Sequence, residues 1–174
     1  MDSHDLSQYI DHIQDFPQPG IGFKDISPLL ESSAAMAKAK AQLLEIITPI
    51  NAHLIAGLDA RGFLFSTLIA DALGIGSVMI RKAGKLPGAV EEKSYSLEYG
   101  SGTLAVQKAR DLRGKRVVIM DDLLATGGTL GCAENLITQA GGEVAAAVVI
   151  VELKFLEGAT QVKCPLHSLV SYDE

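Results

Sequence analysis

An excess of positive charge is missing from this chain: 15 lysines and arginines stand against 21 acids, a net charge of −6 over 174 residues. Nothing global therefore attracts nucleic acid or an anionic lipid surface, and any polyanion must be held by a local patch. Cysteine is scarce. Cys132 and Cys164 stand alone, without CxxC or histidine-rich spacing, which excludes a disulfide framework or zinc ribbon and fits reduced, structural thiols. No segment approaches the roughly 20 apolar residues that a membrane span needs. The opening stretch MDSHDLSQYIDHIQDF holds four acids and no apolar run, so no secretory signal is expected and a cytoplasmic protein is. Internal repeats and low-complexity linkers are also lacking. What remains is a chain 48% hydrophobic, long enough to bury a core as one domain spanning residues 1–174.

Short apolar runs alternate with helical patterns. Residues 53–58 (HLIAGL), 77–80 (SVMI), 116–120 (RVVIM) and 145–153 (AAAVVIVEL) are near-continuous and rich in valine and isoleucine, as strands covered on both faces tend to be. Between them residues 32–47, 61–73 and 127–139 carry apolar residues at helical spacing and stop near Gly74 or Gly141. The order predicts an α/β fold, a mostly parallel twisted sheet with helices on both faces. Residues 82–107, KAGKLPGAVEEKSYSLEYGSGTLAVQ, break the pattern. They read as a long loop closed by a flexible antiparallel hairpin, with strands at 94–99 and 103–107 parted by Gly100, Ser101 and Gly102. Segments of this kind are usually functional lids or disordered.

The chemistry concentrates in VVIMDDLLATGGT, residues 117–129. A strand running into a small-residue turn and then a helix N-terminus supplies unpaired N–H groups for a phosphate, and in open α/β sheets ligands bind beyond the carboxyl ends of the strands. Ala125, Thr126, Gly127, Gly128 and Thr129 suit that role, with two hydroxyls as further donors. Asp121 and Asp122 call instead for a donor such as a sugar diol. A phosphorylated ribose satisfies both. The plainer alternative is that Asp122 or Thr126 caps the helix. The string is neither a Walker A loop nor GxGxxG.

This string resembles the signature of the type I phosphoribosyltransferases, and its LLATGGT wording resembles the adenine phosphoribosyltransferase branch. FPQPGIGFKDISPLL (16–30), GLDARGFLF (57–65), IRKAGKLPG (80–88) and YSLEYG (95–100) resemble further segments of that family in the same order, so the likeness covers residues 16–153. It implies the family's fold, with an N-terminal base-binding hood over about residues 1–30 and a lid over about 82–107. It also implies the family's reaction: adenine and 5-phosphoribosyl 1-diphosphate yield AMP and diphosphate, with magnesium, through a transition state resembling an oxocarbenium ion.

Residue by residue, the resemblance implies that Asp121 and Asp122 hold the ribose hydroxyls beside the developing positive charge and that residues 125–129 hold the 5-phosphate. GLDARG becomes the diphosphate loop, with Asp59, Ala60 and Arg61; members often carry a cis peptide at the position of Asp59–Ala60. Taken alone, the segment also reads as a helix start capped by Asp59. Arg81, Lys82 and Lys85 read either as a solvated basic loop or, by resemblance, as diphosphate ligands acting across the interface of a homodimer. Phe23 is expected to stack on adenine, Leu123 to close its other face, and the backbone near Ile21 and Gly22 to read the purine edge. Gly22 departs from the bulkier apolar residue expected there, and Lys24 from a frequent arginine that meets phosphate. Glu98 is expected to handle the purine ring proton and Tyr99 to exclude solvent, the alternative being a plain hairpin with its polar face in water. Magnesium is expected to come mainly with the diphosphate, without a dedicated protein site. Nucleic acid and membrane are not expected partners. Two rivals are a non-catalytic regulator binding the same sugar, which would usually need a fused DNA-binding segment and a basic surface, and an enzyme acting on a 6-oxopurine or orotate.

Overall fold

A computed structural model describes residues 5–97 and 100–174. Its main sheet has seven strands in the order β5-β6-β4-β3-β7-β8-β9. These are β3 (Leu54–Leu58), β4 (Gly76–Lys82), β5 (Val90–Leu97), β6 (Gly100–Gln107), β7 (Arg116–Leu124), β8 (Glu143–Leu153) and β9 (Leu166–Tyr172). From β4 to β9 every pairing is parallel; β5 and β6 join antiparallel at one edge. A separate two-stranded sheet pairs β1 (Asp11–Ile13) with β2 (Phe23–Asp25).

The apolar runs are continuous because alternate residues enter two cores. Ile55, Val118 and Val148 point into a core shared with Ala35, Ala39, Leu43 and Ile47 of α2 (Ser33–Ile47) and with Phe65 and Ile69 of α3 (Gly62–Leu73). Ala56, Ile119 and Val149 point the opposite way, onto Ala133, Leu136 and Ile137 of α4 (Gly128–Gln139). The four-residue spacing in α2 keeps one stripe on the sheet. Ser32 caps that helix, accepting from the Ala35 N–H at 3.2 Å. A short helix, α1 (Ser27–Glu31), precedes it in the chain. Among the described residues no helix is long and apolar enough to cross a membrane.

The expected α/β architecture is present, with four corrections. The strand expected to end at residue 120 continues to Leu124, so Asp121 and Asp122 are strand residues. The long loop shrinks to residues 83–89, because β4 reaches Lys82 and β5 starts at Val90. Pairing runs from Val90↔Gln107 to Leu97↔Gly100, which places Gly100, Ser101 and Gly102 inside β6 and removes them as the connection between strands. Finally, β9 and the β1–β2 pair had no counterpart in the reading of the sequence. The mixed pattern of LHSLVSY, with only Val170 buried, lacks the run that marked the central strands.

Candidate active site at the carboxyl edge of the sheet

Between the neighbouring strands β3 and β7 the connections diverge: β3 leads into α3 on one face, β7 into α4 on the other. A cavity of about 930 Å³ opens there, beyond the carboxyl ends of the strands, where open α/β sheets bind ligands. Both helices begin at its wall. Gly127 is the N-cap of α4, and no side chain caps that helix, so its first N–H groups lack intrahelical partners and carry the positive end of the helix dipole. Capping by Asp122 or Thr126 is thereby excluded. Gly127 has φ +82, and a Cβ there would lie 2.1 Å from the Gly158 carbonyl oxygen, so the turn and the chain behind it both demand glycine.

On the β3 side the Asp59–Ala60 peptide is cis, and Arg61 is the N-cap of α3 without side-chain capping. Asp59 therefore does not cap the helix; its Oδ2 accepts from Arg81 Nε at 3.0 Å. A Cβ on Gly62 would stand 2.6 Å from the Met120 carbonyl oxygen. This contact seats the start of α3 against the end of β7 and brings Arg61 to Asp122, with Nε 2.5 Å from Oδ2. The Arg61 side chain is 47% exposed and that of Asp122 only 6%. The same guanidinium lies 5.3 Å from the Phe23 ring centroid, and Phe23 meets Phe16 edge to face at 5.2 Å. Arg61 thus spans the gap between the β2 aromatic and the acid pair.

The two carboxyls are not equivalent. Burial pushes Asp121 up to about 8, with the neighbouring Asp122 charge adding to the rise and Arg61 opposing it. The Asp122 N–H donates to Asp121 Oδ1 at 2.8 Å. Asp121 therefore favours its protonated form near neutral pH, while Asp122 pairs with Arg61. Asp121 can give that proton up when something cationic or hydrogen-bond-donating replaces water.

Of the residues expected in the site, Asp59, Ala60, Arg61, Lys82, Asp121, Asp122, Leu123, Ala125, Thr126, Gly127, Gly128 and Thr129 all line this cavity. Arg81 stands behind it on Asp59, its guanidinium also donating to the Lys85 carbonyl at 3.4 Å. Lys85 is exposed outside the cavity lining. Ile21, Gly22 and Phe23 are not lining residues either; Phe23 reaches the site through Arg61. Gly22 has His12 against it, where a Cβ would meet Nε2 at 2.6 Å. Lys24, expected near phosphate, is buried instead over the Tyr172 ring at 3.9 Å and beside His12 Nδ1 at 3.1 Å. Glu98 and Tyr99 lie outside the described residues. Tyr95, on the first strand of the expected hairpin, also lines the cavity. The signal for it was the small residue facing it, Gly102.

An acid pair on one strand end, an uncapped helix N-terminus beside it and an arginine between them give this α/β protein a site chemically suited to a small phosphorylated molecule bearing hydroxyls. The chain belongs to the phosphoribosyl transferase domain family, whose model matches residues 24–163. It is 46% identical over 168 residues to the adenine phosphoribosyltransferase of Rhodospirillum rubrum, covering 97% of this chain and 98% of that one. The crystal structure of adenine phosphoribosyltransferase from Thermoanaerobacter pseudethanolicus superposes with a TM-score of 0.92 at 40% identity, over 96% of this chain and 98% of that one. The Saccharomyces cerevisiae enzyme, complexed with an imino-altritol bisphosphate and adenine, superposes with a TM-score of 0.90 at 34% identity, over 97% and 99%.

Proposed function

We propose that the chain, as one domain, transfers the 5-phosphoribosyl group from 5-phosphoribosyl 1-diphosphate to adenine, releasing AMP and diphosphate, the reaction of purine salvage. The bond from the sugar C1 to the diphosphate oxygen breaks, a bond from C1 to a ring nitrogen forms, and that nitrogen loses its proton. One observation carries the reading: an anion cradle, residues 125–129, and a pair of carboxyls, Asp121 and Asp122, share one cavity. Each serves a different end of a phosphorylated ribose.

In this reading the N–H groups and hydroxyls of residues 125–129 hold the 5-phosphate. Asp121 and Asp122 accept from the ribose hydroxyls and face the positive charge that develops on the sugar. Arg61 exchanges Asp122 for the diphosphate, to which its fork is suited, and Asp59, Ala60 and Lys82 complete that end. Its departure uncovers the Phe23 face for adenine, with Leu123 opposite and the backbone of Ile21 and Gly22 at the purine edge. Glu98 takes the ring proton and Tyr99 helps to close the lid.

Magnesium arrives with the diphosphate. Among the described residues no group of three or more His, Cys, Asp or Glu is placed to hold a metal, and Mg²⁺ commonly binds through one or two carboxylates together with substrate phosphates. Asp121 and Asp122 fit that outer role, and the ion would neutralise diphosphate charge as the leaving group departs. We also propose a homodimer in the cytoplasm. Leu64 on α3 and Met79 on β4 are about half exposed on elements that pack together, an apolar surface suited to a second copy. The contact of Arg81 with its own Asp59 supports a role within its chain, and the exposed Lys85 is the residue we assign to a neighbouring site.

The test is a base-exchange assay with 5-phosphoribosyl 1-diphosphate, magnesium and, in turn, adenine, hypoxanthine, guanine and orotate. AMP formation at a kcat/KM far above the other bases is expected. Turnover confined to a 6-oxopurine or orotate would overturn the substrate, and turnover of none would overturn the enzyme.

A further inference from the structure

The hairpin is fastened to α4 at two points. The Tyr95 hydroxyl lies 3.1 Å from Thr129 Oγ1, and the Cys132 thiol donates to the Lys93 carbonyl at 3.2 Å. Thr129 and Cys132 are three residues apart and so share one face of the helix, while Lys93 and Tyr95 share one side of β5. Thr129 is the second residue of α4, in the anion cradle. The Tyr95 ring gets there by crossing β6 at its cross-strand partner Gly102, where a Cβ would lie 2.6 Å from the ring. The glycine expected to part the two strands makes room for a tyrosine.

We propose that Tyr95 is a positioning residue for the phosphate end of the substrate: its hydroxyl donates to Thr129 Oγ1 and so turns the Thr129 proton toward the anion in the cradle. A threonine hydroxyl has one proton and two acceptor lone pairs. If Thr129 spent its proton on the tyrosine oxygen, it would present only lone pairs to the phosphate. With Tyr95 as donor, the sequence is Tyr95 O–H to Thr129 O–H to phosphate oxygen, and each bond polarises the next. The inference rests on residues 125–129 being the 5-phosphate site. It adds that hairpin docking and phosphate binding favour each other.

Calorimetric titration of the whole protein separates the two ideas, using ribose 5-phosphate and AMP as probes with a 5-phosphate and diphosphate and adenosine as probes without one. Tyr95→Phe keeps the ring and its packing. It is expected to weaken ribose 5-phosphate and AMP by about threefold to tenfold, the worth of one neutral hydrogen bond. Diphosphate and adenosine affinity should stay put, and the KM for 5-phosphoribosyl 1-diphosphate should rise by more than kcat falls. Thr129→Val is expected to weaken the same two ligands at least as much, and Tyr95→Phe placed on top of it to add little. Loss of all four ligands alike in Tyr95→Phe would make Tyr95 a packing residue and overturn the inference. Unchanged phosphate binding in Tyr95→Phe, with Thr129→Val weakened, would overturn the relay alone. Unchanged binding in Thr129→Val would overturn the cradle and the relay together.

Discussion

Replacing Asp121 by asparagine tests both the chemistry and the energetics of the acid pair, because the structure predicts that activity and stability move in opposite directions. The carboxyl has an ordinary pKa of 3.8 when unfolded and about 8 when folded. Between those values the native state keeps a proton that the unfolded state has released, so stability falls as pH rises through the window and levels off above it. At pH 7 the difference is roughly three pK units, a ceiling of about 4 kcal/mol at 1.36 kcal/mol each. The side chain is partly solvated and asparagine also loses hydration there, so we expect a gain of about 1–2 kcal/mol in Asp121→Asn, or about 2–8 °C in Tm for a chain of this size. The gain should vanish near pH 4 and grow toward pH 8. Function should suffer. The amide cannot ionise, and the loss of a charge-assisted hydrogen bond worth about 1.5–3 kcal/mol lowers kcat/KM by roughly tenfold to over a hundredfold. Free-enzyme groups govern kcat/KM, so the wild-type profile should climb with pH to a plateau above about 8, reporting the coupled pair, and that ascending limb should disappear in the variant. Paired thermal scans and pH–rate profiles decide it. A variant that is less stable at pH 8 than wild type, or one that keeps the ascending limb, would refute the assignment of the raised carboxyl to Asp121.

Gly62→Ala should cost about 1–3 kcal/mol by overpacking, read as a lower denaturant midpoint at constant m, because its Cβ meets the fixed Met120 carbonyl at 2.6 Å and Asp121 Oδ1 at 3.2 Å; an unchanged midpoint would mean that the α3–β7 junction is looser than described. Mixing inactive Asp121→Asn with an inactive Lys85→Glu variant should recover about a quarter of the wild-type activity per site, since half of randomly exchanged dimers are hybrids with one intact site; no recovery after verified subunit exchange would confine Lys85 to its own chain. Glu98→Gln should lower the single-turnover rate for adenine by about 10²-fold or more, in line with the worth of general acid–base help, with diphosphate affinity little changed. An unaltered rate would return Glu98 to the role of a solvated strand residue.

Local chemistry was readable from the sequence because it is contiguous. VVIMDDLLATGGT encodes a strand, a turn too small to block an anion, and a helix start, all within thirteen residues, and the buried strands announce themselves because both faces are covered. The alternation of those runs with four-residue helical stripes was enough for the parallel sheet and for its helices. Segments with one wet face or one small residue gave weaker signals: β9 lacks a continuous apolar run, and Gly102 looks like a turn until its partner strand is known. Distance across the chain was decided only by tertiary structure. Arg61 and Asp122 meet because Gly62 lets α3 press on β7. Arg81 meets Asp59 because β4 lies beside β3, and Lys24 turns to Tyr172 because the fold brings β2 close to β9. The upward shift of Asp121 is the clearest case. A carboxyl's charge state depends on how much water it has lost and which charges stand near it; Asp122 is the neighbour of Asp121 in the chain, but the burial and Arg61 come from elements that only the folded chain brings together.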